Sequence, residues 1–78
     1  MKIRLYTTLG CHLCEEAMSI VQLLDEQGMD ILLEEIEISD SEPLIKCYGT
    51  KVPVIAREDN EEIDWPFSVN ELYNFLNT

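Results

Sequence analysis

The sequence predicts an α/β fold, a four-stranded mixed sheet flanked by three helices in the order β-α-β-α-β-β-α. Three observations carry this. Short runs rich in branched residues alternate with stretches of helical periodicity. Two cysteines, Cys11 and Cys14, stand where the first strand hands over to the first helix. Ser68 and Glu71 have the spacing of a capping box ahead of the last apolar stripe.

In chain order, Lys2 to Thr7 alternates around Ile3 and Leu5 and reads as a strand. Thr8, Leu9 and Gly10 form a short loop, with Gly10 allowing a sharp turn. Leu13, Ala17, Ile20, Val21 and Leu24 then fall on one helical face, and Gly28 is placed to end that helix, giving boundaries near residues 12 and 27. Asp30 to Ile38 reads as a second strand, because Gly28 behind it and Ser39-Asp40-Ser41 ahead leave too little room for a helix.

Ser39, Asp40 or Ser41 can cap a short helix that tolerates Pro43 in its first turn and stops at Gly49. Leu44, Cys47 and Tyr48 share its inward face, which makes Cys47 a small buried residue. Val52 to Ala56 is a third strand beginning beside a proline. A turn at Glu58-Asp59-Asn60 leads into a short fourth strand ending near Trp65. The last helix presents Val69, Leu72, Tyr73 and Leu76 as its buried stripe, with Phe67 and Leu72 in staple positions. The first two strands, joined through a helix, should be parallel, and the last two should form a hairpin.

Seventy-eight residues fit one small domain. No apolar run approaches the roughly 20 residues that span a bilayer, and the start lacks the apolar core of a signal peptide, so a cytoplasmic location is expected. Sixteen acidic against five basic side chains give a net charge of −11. That charge repels phosphate backbones and anionic headgroups, which excludes nucleic acid and membrane surfaces as partners and favours a monomer.

Three cysteines in a reducing compartment point to redox or metal chemistry rather than a disulfide framework. A structural zinc wants four ligands, and beyond the pair only Cys47 and His12 remain, so no metal is expected. Residues i and i+3 across a first helical turn meet the Cα spacing a disulfide needs, roughly 4.4–6.8 Å. Cys11, at the helix start, gains from unpaired N–H groups and the positive end of the helix dipole, and is the expected thiolate nucleophile. Cys14, one turn in, is the resolving thiol that displaces product from a mixed disulfide. His12, if protonated, favours that thiolate, whereas Glu15 and Glu16 oppose it. Trp65 and Phe67 are expected to pack at the core or its edge.

The stretch Leu5-Tyr6-Thr7-Thr8-Leu9-Gly10-Cys11-His12-Leu13-Cys14-Glu15-Glu16-Ala17 resembles the small glutaredoxin-like proteins of bacteria. Tyr48-Gly49-Thr50-Lys51-Val52-Pro53 and Trp65-Pro66-Phe67 fit the same subgroup of the glutaredoxin and thioredoxin superfamily. The resemblance covers the whole chain. It implies a thiol–disulfide oxidoreductase acting on protein disulfides or glutathione mixed disulfides, with Cys11 and Cys14 as the catalytic pair. It also implies a cis Val52-Pro53 peptide, with Val52 offering its backbone to substrate. His12, Leu13, Lys51, Val52 and Pro53 are the expected substrate-contacting residues, and Lys51 is the one well-placed cation for glutathione.

Ile63-Asp64-Trp65-Pro66-Phe67-Ser68 stands where glutathione-binding relatives usually carry a Gly-Gly turn, and Thr7 to Gly10 contain no lysine. No tightly bound cofactor is expected. Glutathione is a candidate co-substrate, and the reductant is either glutathione or a flavin-dependent reductase. A redox-independent binding module docking a basic partner is the alternative, and an iron–sulfur or metal-binding relative a third.

Overall fold

The computed structural model describes residues 1–78. Its elements are β1 (Lys2–Thr7), α1 (His12–Leu24), β2 (Leu32–Glu37), α2 (Glu42–Tyr48), β3 (Val54–Ala56), β4 (Glu62–Asp64) and α3 (Val69–Leu76). The sheet order is β2-β1-β3-β4. β1 and β2 are parallel, with Lys2 opposite Leu32 and Thr7 opposite Glu37. β1 and β3 are antiparallel, and β3 and β4 form the hairpin.

The two-residue alternation of the strands divides the core between two faces. Ile3 and Leu5 of β1 and Ile55 of β3 face α1 and α3, where Ala17, Val21, Leu24, Leu72 and Leu76 close over them. Tyr6, Val54 and Ala56 face the other way, under Leu44 and Tyr48 of α2, with Ile38 beside them. The Tyr6 and Tyr48 rings stack at 4.1 Å between centroids, and the Tyr48 hydroxyl donates to the Glu62 carboxylate.

Where the elements end differs from expectation in ways that have local causes. α1 passes into a wider, π-type turn over Asp25–Met29, in which Gly28 adopts φ 100° and so reverses the chain direction, as a residue with a Cβ would do only under strain. The Asp25 carboxylate then accepts the Ile31 N–H at 2.7 Å, delaying β2 to Leu32. β3 begins at Val54 rather than Val52, because Pro53 has no N–H for the ladder and the Val52 N–H donates to the Tyr48 carbonyl at 3.0 Å. Val52-Pro53 is cis, and so is Trp65-Pro66, for which the sequence held no signal.

Three side chains face otherwise than expected. The buried stripe of α1 runs through Cys14, Ala17, Val21 and Leu24, so Leu13 lies outside it and is exposed. α2 has only seven residues, and its contact with the sheet is made by Leu44 and Tyr48, one turn apart, which turns Cys47 out to solvent. In α3, Tyr73 is exposed, and Phe75 packs against the core instead, capped by the Arg57 guanidinium 4.7 Å above its ring. Phe67 is buried and Trp65 packs edge-on against it, as core-edge residues do. No helix is long and apolar enough to cross a membrane.

Candidate functional site: a disulfide at the start of α1

β1 delivers the chain to the end of the sheet, and the loop Thr8-Leu9-Gly10 turns it into α1. Gly10 takes φ 72°, and the Cys11 N–H closes the turn on the Thr8 carbonyl at 3.2 Å. Cys11 is therefore the N-cap of α1, extended at φ −78° and ψ 104°. An N-cap is ordinarily an oxygen-bearing residue whose side chain satisfies a free N–H of the first turn. Here sulfur fills that role: Cys11 Sγ accepts the Cys14 N–H at 3.1 Å.

The two cysteines are joined as a disulfide with Cα atoms 5.3 Å apart. They differ in access. Cys14 is 4% exposed within the buried stripe of α1, whereas Cys11 is half-buried. His12 and Glu15 project from the first turn and lie 3.6 Å apart, both solvent-exposed, an ion pair only when the imidazole is protonated.

Beside the disulfide an open cleft of about 400 Å³ lies between the β1 loop, α1 and β2. Its lining includes Leu9, both cysteines, Met18 and three carboxylates, those of Glu15, Glu35 and Glu37. Glu37 is held in place there. Its Oε1 accepts the Ser39 N–H at 2.9 Å, and this bond, with smaller help from the Ser39 hydroxyl, Thr8 and the Leu9 N–H, keeps its carboxyl below the usual range. Glu35 and Glu37 are the site residues that sequence reasoning missed. Their signal was the two-residue period from Leu33, which sets all three on the face of β2 that looks towards α1.

Of the residues expected to meet substrate, His12, Leu13, Lys51, Val52 and Pro53 do not line this cleft. Val52 and Pro53 reach the same end of the sheet by another route. Tyr6 pairs with Val54, and the same antiparallel register continued sets Pro53 against Thr7 and Val52 against Thr8. Pro53 is fully buried and its carbonyl accepts the Trp65 N–H at 3.1 Å. The Val52 N–H is occupied by Tyr48, which leaves the Val52 carbonyl as its main-chain group for an outside partner. Lys51 is exposed in the preceding turn.

A mixed sheet in the order β2-β1-β3-β4, with α1 and α3 on one face, α2 on the other, a Cys-X-X-Cys disulfide at the head of α1 and a cis proline ahead of β3, defines the thioredoxin superfamily. Within it, the chain belongs to the glutaredoxin-like domain (DUF836) family, whose model matches residues 2–77.

Among solved structures it is similar to protein XcR50 from X. campestris, at 31% identity over 96% of this chain and 95% of that one, with a TM-score of 0.83. It is also similar to protein Ne2328 from Nitrosomonas europaea, at 28% identity over 95% and 88% of the two chains and a TM-score of 0.80. Thioredoxin 1 from Thermosipho africanus shares the fold, at 20% identity and a TM-score of 0.65 over 99% of this chain and 96% of that one. No curated protein matches. The family, the fold and the cysteine pair at disulfide distance together support redox activity.

Proposed function

We propose that the protein is a dithiol–disulfide oxidoreductase that exchanges electrons with disulfide-bearing substrates through Cys11 and Cys14. The observation that carries this reading is the asymmetry of the pair. Cys11 is the more open sulfur, sits at the positive end of α1 and accepts a main-chain N–H, all of which favour a thiolate there once the disulfide is reduced. Cys14 is buried one turn behind it.

In the reducing direction the Cys11 thiolate attacks one sulfur of a substrate disulfide. A Cys11–substrate S–S bond forms, the substrate S–S bond breaks, and the leaving thiolate takes a proton from water. Cys14, deprotonated, then attacks Cys11 Sγ. The Cys11–Cys14 bond forms, the second substrate thiol departs, and two electrons have passed from protein to substrate. A thiol reductant, glutathione or a flavin-dependent reductase, restores the dithiol by the reverse chemistry. Val52 offers its free carbonyl to the docked chain, and His12, Leu13 and Lys51 border the approach. The location that suits this chemistry is the cytoplasm, where thiols are kept reduced.

The test is the equilibrium of the pair against a glutathione redox buffer, read by thiol trapping and mass. A reversible two-electron transition between about −120 and −300 mV is expected. Thiols that never pair, or a pair that no buffer reduces, would sink the assignment.

A further inference from the structure

We propose that the substrate is a cationic disulfide, a cystine in a peptide or protein segment flanked by lysine or arginine side chains. This rests on the exchange reading of Cys11 and Cys14 and supplies its substrate class. The cleft into which the disulfide opens carries the carboxylates of Glu15, Glu35 and Glu37, and Glu37 is held ionised by the Ser39 N–H. None of the five basic side chains of the protein lines it. Arg4 is turned to Tyr6 and Asn60, and Arg57 to Asp59 and the Phe75 carbonyl. Lys2 lies beside Arg57 in a separate hollow, Lys46 is on α2, and Lys51 precedes Val52.

A substrate bringing its own carboxylates to this cleft meets like charge, whereas one bringing ammonium or guanidinium groups meets three partners of opposite sign. The cleft also matches the other half of such side chains. Leu9, in its lining, is 82% exposed. It offers apolar surface to the aliphatic stems of lysine and arginine while the charged heads reach the carboxylates.

The experiment uses the reduced full-length protein and disulfide-linked dimers of three capped tripeptides, Lys-Cys-Lys, Ser-Cys-Ser and Glu-Cys-Glu. Each rate is divided by the rate of the same dimer with a free small dithiol, which removes the intrinsic reactivity of the disulfide. At about 10 mM salt, where screening reaches only over ~30 Å, the lysine dimer should be reduced about tenfold faster than the serine dimer, and the glutamate dimer slower than either. In about 1 M salt, with a screening length of ~3 Å, the three rates should converge. Glu35→Gln with Glu37→Gln should lower the lysine-to-glutamate ratio several-fold, and Glu35→Gln alone by less.

Reduction of all three dimers at equal corrected rates would overturn the charge preference and leave the exchange reading standing. A preference that persists in high salt and in the double variant would overturn its assignment to these carboxylates. Failure to reduce any dimer would remove the exchange reading, and the preference with it.

Discussion

The Cys14 main-chain N–H donates to Cys11 Sγ at 3.1 Å, so Cys14 itself holds the outer sulfur at the head of α1. The bond is available to a thiolate as much as to a disulfide sulfur, and it is charge-assisted only in the thiolate. Reduction therefore exchanges one stabilised sulfur for another at the same place.

From this follows the behaviour of the two single variants. In the proposed exchange, Cys14→Ser keeps the Cys11 thiol and its N–H donor but removes the thiol assigned to releasing product, so a mixed disulfide should accumulate at Cys11 and appear as an added substrate mass. Cys11→Ser should reduce turnover by at least a hundredfold and trap nothing. Full activity in Cys11→Ser would overturn the assignment, and substrate adducts trapped on Cys14 in that variant would reverse the roles.

The last helix depends on its cap. Ser68 Oγ accepts the Glu71 N–H at 3.0 Å and Glu71 Oε1 accepts the Ser68 N–H at the same distance. Ser68→Ala should cost about 1 kcal/mol in denaturant unfolding. Because α3 supplies the fully buried Leu72 to the core, the loss should register in global unfolding and not only as fraying.

Leu5 is completely buried at the centre of β1, between α1 and α3. Leu5→Ala should destabilise by roughly 2–5 kcal/mol, measured as a lower denaturant midpoint with an unchanged slope.

Alkaline pH should weaken the α2 face. The Tyr48 hydroxyl, donating to the Glu62 carboxylate, is held protonated well above the ordinary tyrosine range, by that bond first and by burial and Tyr6 after it. The folded state thus keeps a proton that the unfolded chain releases, so stability falls as pH rises past about 10, the free tyrosine value. The difference in unfolding free energy between the protein and Tyr48→Phe should be constant below that pH and shrink above it. A difference that grows instead would show the sign to be wrong.

Acid acts through Asp59, whose carboxyl lies below its ordinary range because Arg57 donates to both of its oxygens, with the Glu61 N–H adding to this. Its contribution is present above about pH 4 and is lost as pH falls through its lower folded value. Asp59→Asn should flatten that part of the stability–pH curve relative to the unsubstituted protein.

The order of elements was legible because each is bounded by a chemically explicit signal: Gly28 after α1, Ser41 before α2, the Ser68–Glu71 box before α3. What misled was the short helix face. Periodicity put Cys47 with Leu44 and Tyr48, but a helix of seven residues touches the sheet along one turn, and two side chains suffice to fill that contact. Tyr73 was displaced for a related reason. Phe75 gains both core contact and the Arg57 guanidinium, and Arg57 comes from the turn just after β3, a neighbour that no local pattern contains.

The site divided in the same way. The cysteine pair, its helix start and the Val52-Pro53 pair are local motifs and could be read directly. The cleft is a product of the parallel register of β1 and β2, which sets Glu37 opposite Thr7 and so beside the loop that precedes Cys11. Alternation marked Glu35 and Glu37 as facing one way without saying that a disulfide opens onto that side.

The sheet leaves two borders without a neighbour, and both are acidic. β2 carries Glu34, Glu35 and Glu37, and β4 carries Glu62 and Asp64. Exposed strand borders are templates on which a second chain can crystallise its own backbone, and a protein with a small core opens often enough to be at risk. Two copies approaching border to border here would stack carboxylate against carboxylate. The same residues that set the character of the cleft thus guard the molecule against fibrous self-assembly, a protection that weakens as the medium becomes acid enough to neutralise them.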